Sequence, residues 1–186
     1  SKKLNMRTKC KEAKTQTKNI VSNERHSNNS GLTVEYFWTV IYEDFLTLKG
    51  KDFKGRTLDD IWSFSDTEIE QTHDFIQIVF PLNKPSQSVF HGHYLDTEDL
   101  VNQIKNNKEA RNNIIKSSKW FFSFLQRNMY WNNRHDHNQL RITRIIECLR
   151  LLVSDSEADS FYNNVIELIK DNNEVNIRTL NFWKNA

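Results

Sequence analysis

Apolar residues recur at spacings of three and four along most of the chain, the pattern of helices that each bury one face. From Thr33 to Leu48 this spacing carries Tyr36, Phe37, Val40, Ile41, Phe45 and Leu48, and the turn Lys49-Gly50-Lys51 ends the first predicted helix. Thr57, with Asp60 three residues on, opens a short helix that takes Leu58, Ile61 and Trp62 inward. The best-marked stretch follows, from Ser65 to Pro81. Ser65 and Glu68 form a capping box, and Pro81 biases Phe80 out of the helical region, which predicts one continuous helix of about four turns. At 100° per residue, Ile69, Ile76 and Phe80 centre its apolar arc, widened by Phe75 and Val79. Glu70, Asp74 and Gln77 fall on the other side, and His73 falls on the border.

Beyond Pro81, the segment to Tyr94 holds Pro85, Ser86, Ser88 and Gly92 and reads as an ordered crossing loop. Asp96 or Thr97 caps a helix to about Asn106, with Leu100, Val101 and Ile104 inward. Residues 108–131 predict the longest helix, apolar around nearly all of its middle, and therefore the central buried one. Asn132 to Asp136 breaks the pattern before a helix from Asn138 to Val153. A second capping box, Ser154 with Glu157, starts a helix carrying Ala158, Phe161, Val165 and Ile169, and a last short helix from Asn176 packs Ile177, Leu180 and Trp183. The fold class expected is all-α: one globular helical domain over residues 32–186, of about seven helices around a long central one.

Composition sharpens this. Only 37% of the 186 residues are hydrophobic, but twelve Phe, five Trp and five Tyr bury more area each than aliphatic side chains. Four Gly and two Pro argue against a sandwich or barrel, which would need many tight turns. Charge is uneven: residues 1–25 carry a net +6 and the remainder −4, within a total of +2. Residues 1–31 therefore read as a disordered basic tail or linker, able to touch an anionic surface weakly, whereas nucleic-acid binding by the mildly acidic domain is disfavoured. Cys10 and Cys148, one in the tail and one in a helix, give no reason for a disulfide and favour a reducing, cytoplasmic compartment. No apolar run approaches the ~20 residues of a membrane span, so the expectation is a soluble protein with no transmembrane segment. Secretion by a route that needs no signal peptide is the alternative.

Two blocks carry a family likeness. His73-Asp74-Phe75-Ile76-Gln77-Ile78-Val79-Phe80-Pro81-Leu82, preceded by Glu68 and Glu70, resembles the "HDYIQWLFPL" signature of the opioid growth factor receptor conserved region. His137 to Leu152 resembles the "N-LRITRIL-SLRLLG" helix of the bacterial-type members, and Phe182-Trp183 suits their last helix. Ile78 stands where that family has Trp, and Val153 where it has Gly. The resemblance, from roughly Leu32 to Ala186, implies an all-helical domain. It implies no catalytic activity; the receptor role, binding of a small enkephalin peptide, belongs to the animal members.

Chemistry concentrates on the Arg141 helix. Ile142, Ile145, Ile146, Leu149 and Leu152 make one apolar arc and Leu140 and Leu151 a second, with His137, Arg141, Arg144 and Cys148 between them. Arg141 and Arg144 are thus expected to be partly buried, and a buried guanidinium needs a partner. Asp74, Glu70 and Asp44 are the internal candidates, which would make a structural ion-pair network. The other reading is a pocket in which Arg141 and Arg144 hold an anionic group, with His73, Asp74, Gln77 and His137 around it. His91, His93, His135 and His137 could supply four imidazoles to a metal, but the spacing is weakly specific and no metal or other cofactor is assigned. His73 and Asp74 point about 100° apart on a helix, so they are not a dyad. The function expected is a non-catalytic recognition domain for a peptide, a small anionic ligand or a protein partner. The alternatives are an enzyme on a phosphorylated or anionic substrate, with His73 or His137 as acid/base, and a secreted bacterial interaction protein.

Overall fold

A computed structural model describes residues 41–88 and 92–186. The expected basic tail 1–31, the first half of the first helix and the tip of the crossing loop lie outside these residues. Residues 41–46 are helical (α1), followed by α2 (Leu58–Trp62), α3 (Asp66–Gln71), α4 (Ile76–Val79), α5 (Glu98–Lys105) and α6 (Lys108–Arg127). A 3-10 turn (Met129–Trp131) leads to α7 (His137–Leu152), α8 (Asp155–Ile169) and α9 (Ile177–Asn185). The described residues contain no strand.

The helix starts lie where side chains satisfy the first orphan N–H groups. Thr57 with Asp60 and Ser65 with Glu68 make complete capping boxes, while Ser154 accepts from the Glu157 N–H at 3.1 Å. Thr97, Asn107 and Asp136 cap α5, α6 and α7. The first helix ends two residues earlier than the Lys49-Gly50-Lys51 turn suggests. Leu48 takes a left-handed φ of 64°, and the N–H groups of Lys49 and Gly50 both return to the Asp44 carbonyl, at 2.8 and 3.0 Å. Gly50 is needed for that approach, since a Cβ there would meet the Asp44 Cβ at 2.9 Å.

The largest departure from the expected pattern is the Ser65 helix. It is not continuous: α3 stops at Gln71, Thr72 is extended with φ −94° and ψ 120°, and α4 begins at Ile76. Ile69, Phe75, Ile76, Val79 and Phe80 are buried as the apolar arc requires, but the break rotates α4 so that Gln77 and Ile78 are buried too. The long helix also stops earlier, at Arg127, because the Asn128 amide donates to the Phe124 carbonyl and to Asp66, 3.0 and 2.9 Å away.

α6 and α7 share the centre. α7 packs on α5, α6, α8, α9 and the 3-10 turn, and α6 on α5, α8 and that turn. Phe121, Phe124 and Ile114 of α6 and Ile142, Ile145, Ile146 and Leu149 of α7 are fully buried. α9 is anchored by Trp183, which stacks at a tilt 6.2 Å from Trp131 and donates its indole N–H to the Gln139 carbonyl at 3.0 Å. These contacts leave one flank of α7 facing α3 and α4.

Candidate functional site

The break at residues 72–75 exposes main-chain carbonyls at the C-terminal end of α3, where a helix carries partial negative charge. Arg141 fills it. Its Nη1 donates to the Ile69 carbonyl at 2.8 Å and to Asn138 Oδ1 at 3.2 Å, and its Nη2 to the Thr72 carbonyl at 2.8 Å. The side chain is 6% exposed, with the guanidinium 5.3 Å from the Phe75 ring centre. One turn on, Arg144 donates from Nε to the Phe80 carbonyl at 2.8 Å and from Nη2 to the Gln77 carbonyl at 3.4 Å. Burial pulls both guanidinium pKa values down, opposed at Arg141 by the charges of Glu70 and Asp136. An arginine remains charged at neutral pH all the same.

Two of the carboxylates expected to pair with these arginines, Asp74 and Glu70, are engaged elsewhere. Asp74 is held by Arg56 at 2.8 Å and Lys54 at 3.1 Å, and Arg56 in turn by Asp52. Glu70 accepts from the Tyr130 hydroxyl at 2.8 Å and the Asn138 amide at 3.0 Å. Burial alone would raise the Glu70 and Asp74 carboxyl pKa values. At Glu70 the two hydrogen bonds and the charges of His137 and Arg141 outweigh it, at Asp74 the two cations do, and both groups sit below the ordinary carboxylate range. Arg141 and Arg144 thus find backbone carbonyls instead of carboxylates, which periodicity could not show because the carbonyls become available only where the helix breaks.

Between α4, residues 82–88 and α7 lies a cleft of about 380 Å³. His73, Gln77, His137, Arg141 and Arg144 all line it, together with Ile76, Leu82, Pro85 and Leu140. Asp74 does not. An ion pair of Lys84 with Glu147, 2.7 Å apart, crosses one rim. Gln77 is 5% exposed and donates from Nε2 to the His73 carbonyl at a long 3.4 Å, while its Oε1 is buried with no hydrogen-bond partner among the described residues. His73 lies exposed, its ring 5.4 Å from that of His137 and edge-on to it. His137 Nε2 stands 3.3 Å from Glu70 Oε1, out of line for a hydrogen bond, and its Nδ1 3.9 Å from Asp136.

Leu140, Lys84, Pro85 and Glu147 were not singled out for this site from sequence. Leu140 had a signal, the second apolar arc, but it is 75% exposed rather than packed. A larger groove of about 690 Å³ runs past Glu43, Asp99 and Glu109, yet its walls are mostly exposed polar side chains and it contains none of the orphaned buried atoms. Glu70, Asp136 and His137 could each turn one ligand atom toward a metal, all within 4.8 Å of one another. His135 is not among them, and His91 lies outside the described residues. Cys148 is fully buried and its thiol is pushed up to about 12 by desolvation, which suits a packing residue and not a nucleophile.

Helices, cleft and cations together define a class: an all-helical domain in which buried arginines hold two helices apart and line the opening between them. The chain matches the opioid growth factor receptor conserved region over residues 34–183, and it belongs to that family. It is similar to the opioid growth factor receptors of Rattus norvegicus and Mus musculus, at 28% identity over 116 residues in each case. The match covers 51% of this chain but only 20% and 18% of those proteins, so the chain spans about a fifth of the relatives it resembles. No solved structure matches it. No helix among the described residues is long and apolar enough to cross a membrane.

Proposed function

We propose that this chain is a non-catalytic recognition module whose ligand, a short peptide or a small anionic molecule, binds in the cleft between α4 and α7. The observation that carries the proposal is the amide oxygen of Gln77, buried and unpartnered in a cleft also lined by two guanidinium groups, neither of which pairs with a carboxylate among the described residues. A buried acceptor without a donor costs about 1–3 kcal/mol, and a side chain that costs stability where an apolar one would fit is what a binding site retains. The named relatives are receptors, which agrees with a binding role. Against catalysis, the carboxylate next to His73 in sequence is turned to Arg56 and Lys54, leaving His73 without an orienting acid from that neighbour.

The test separates fold from ligand. Gln77→Leu should raise the melting temperature, by the equivalent of about 1 kcal/mol, because it removes the orphaned amide. It should also weaken binding of any ligand that a thermal-shift screen of phosphates, nucleotides and short peptides identifies for the natural chain. A ligand whose affinity is unchanged by Gln77→Leu and by Arg144→Met does not occupy this cleft.

A further inference from the structure

A second groove adjoins the cleft. It measures about 380 Å³, lies beside the cleft on the same exposed face of α7 and is walled by Phe182 and Thr179 of α9. His137, Leu140 and Thr143 line both cavities, so one ridge of α7 separates them. Leu140 at 75% and Phe182 at 53% exposure are among the largest apolar side chains left open to solvent. The cleft side of the ridge combines an apolar wall with two guanidinium groups; the far side presents a leucine and an aromatic ring.

We infer that the two cavities form one surface for the carboxyl-terminal end of a short peptide, with the terminal residue in the cleft and an apolar or aromatic side chain in the groove beyond Leu140. This rests on the cleft reading above and specifies its ligand. The terminal residue of a peptide offers, around a single Cα, a carboxylate, an amide N–H and a side chain. The cleft offers the complement of each: the charges of Arg141 and Arg144, the unpartnered Gln77 Oε1, and an apolar wall of Ile76, Leu82 and Pro85. A phosphate would meet the guanidinium groups but bring no N–H for the Gln77 oxygen.

Geometry fixes the spacing of the two determinants. A ridge of side chains three and four apart on a helix is about 5–6 Å wide, and an extended chain advances about 3.3 Å per residue. A peptide that crosses the α7 ridge therefore places its second anchor about two residues before its last one. Charge and shape then act in series: the carboxylate sets the end of the chain, and Leu140 and Phe182 select among side chains at one upstream position.

The experiment uses the full chain, immobilised and exposed to acetylated hexapeptide mixtures that end either in a free carboxylate or in a carboxamide. Half of each mixture has Phe fixed two residues before the end and half has Ser there. The expected result is an enrichment of free acids over amides of about tenfold and a further preference for Phe. Arg144→Met should abolish the first and Phe182→Ser the second, each with a melt to show that the variant is folded. Should Arg144→Met not fold, Gln77→Leu replaces it, since it removes the acceptor for the terminal N–H. Equal retention of acids and amides, lost on Gln77→Leu, overturns the carboxyl-terminal assignment while the cleft reading stands. Retention indifferent to Phe182→Ser overturns the second groove. No retention of either mixture by the natural chain overturns the inference, and the cleft reading then survives only if a small anion binds in the thermal-shift screen.

Discussion

At the scale of single residues, two side chains stand in positions that oppose stability, and they differ in what they do there. Leu48 closes the first helix with φ at 64°, a conformation that costs a residue with a Cβ about 1–2 kcal/mol, and it is exposed, so little burial offsets the cost. Leu48→Gly should raise stability by roughly 1 kcal/mol, read as a melting temperature higher by about 2–4 °C. No cavity touches Leu48 among those described, so ligand binding should not change. Gln77 opposes stability inside the cleft, and its replacement is expected to trade binding for stability. Of the two, only Leu48 had a local sign in the sequence, a helix-ending Lys-Gly-Lys turn just after it. Gln77 had none, because a glutamine on the polar side of a helical wheel is the ordinary surface case.

At the scale of elements, the paired helices α3 and α4 exist as two because Arg141 makes the break between them inexpensive. Its three hydrogen bonds satisfy carbonyls of α3 and the side chain of Asn138 in a site largely closed to water. Arg141→Met leaves those acceptors without donors and should cost roughly 3 kcal/mol, a fall in melting temperature of about 6–12 °C. Arg144, whose bonds are fewer and longer, should cost less, which makes it the cleaner probe of the ligand. The opposite ranking, with Arg144→Met the more damaging, would mean that the break is held by some other contact.

The same break is tied from its outer side by Asp74 to Arg56 and Lys54, and from the 3-10 turn and α7 by Glu70 to Tyr130 and Asn138. Both carboxyls titrate below their ordinary range in the folded chain, so the unfolded chain binds their protons more readily. The stability they confer is complete above about pH 5 and is lost as the pH falls through the folded values. Urea unfolding between about pH 5 and pH 2 should therefore show declining stability, with a shallower decline in Asp74→Asn and in Glu70→Gln. An unchanged slope in both variants would place the acid sensitivity elsewhere.

At the scale of the whole molecule, the core is assembled around α6 and α7, and α9 closes it through Trp183 against Trp131 and through the Arg150 Nε bond to the Ala186 carbonyl, 2.8 Å long. We propose that the chain divides as its composition does, into a basic segment of residues 1–31 and a domain of residues 32–186. A chain lacking residues 1–31 should then melt at the same temperature and bind the same ligand. A fall of more than a few degrees would show that the basic segment packs on the domain. If the segment instead steers an anionic ligand, its removal should slow association mainly at low salt.

Much of the fold was legible because it depends on information local to each element. Caps at Thr57, Ser65, Thr97 and Ser154, and apolar spacings from Leu58 to Trp183, act within a few residues of themselves, so the sequence alone determined where most helices start and which faces they bury. The two apolar arcs of α7 also implied that Arg141 and Arg144 would be partly buried, and one of two readings set them among His73, Gln77 and His137, which with them line the cleft. Only the tertiary structure decided that the Ser65 helix breaks at Thr72, since the donors that make the break stable come from Arg141, about seventy residues away in the chain. That long-range bond turns Gln77 inward, leaves Asp74 to Arg56, and opens the cleft. A pattern of single-residue preferences cannot contain it, because whether a carbonyl needs its own helix depends on what another helix brings to it.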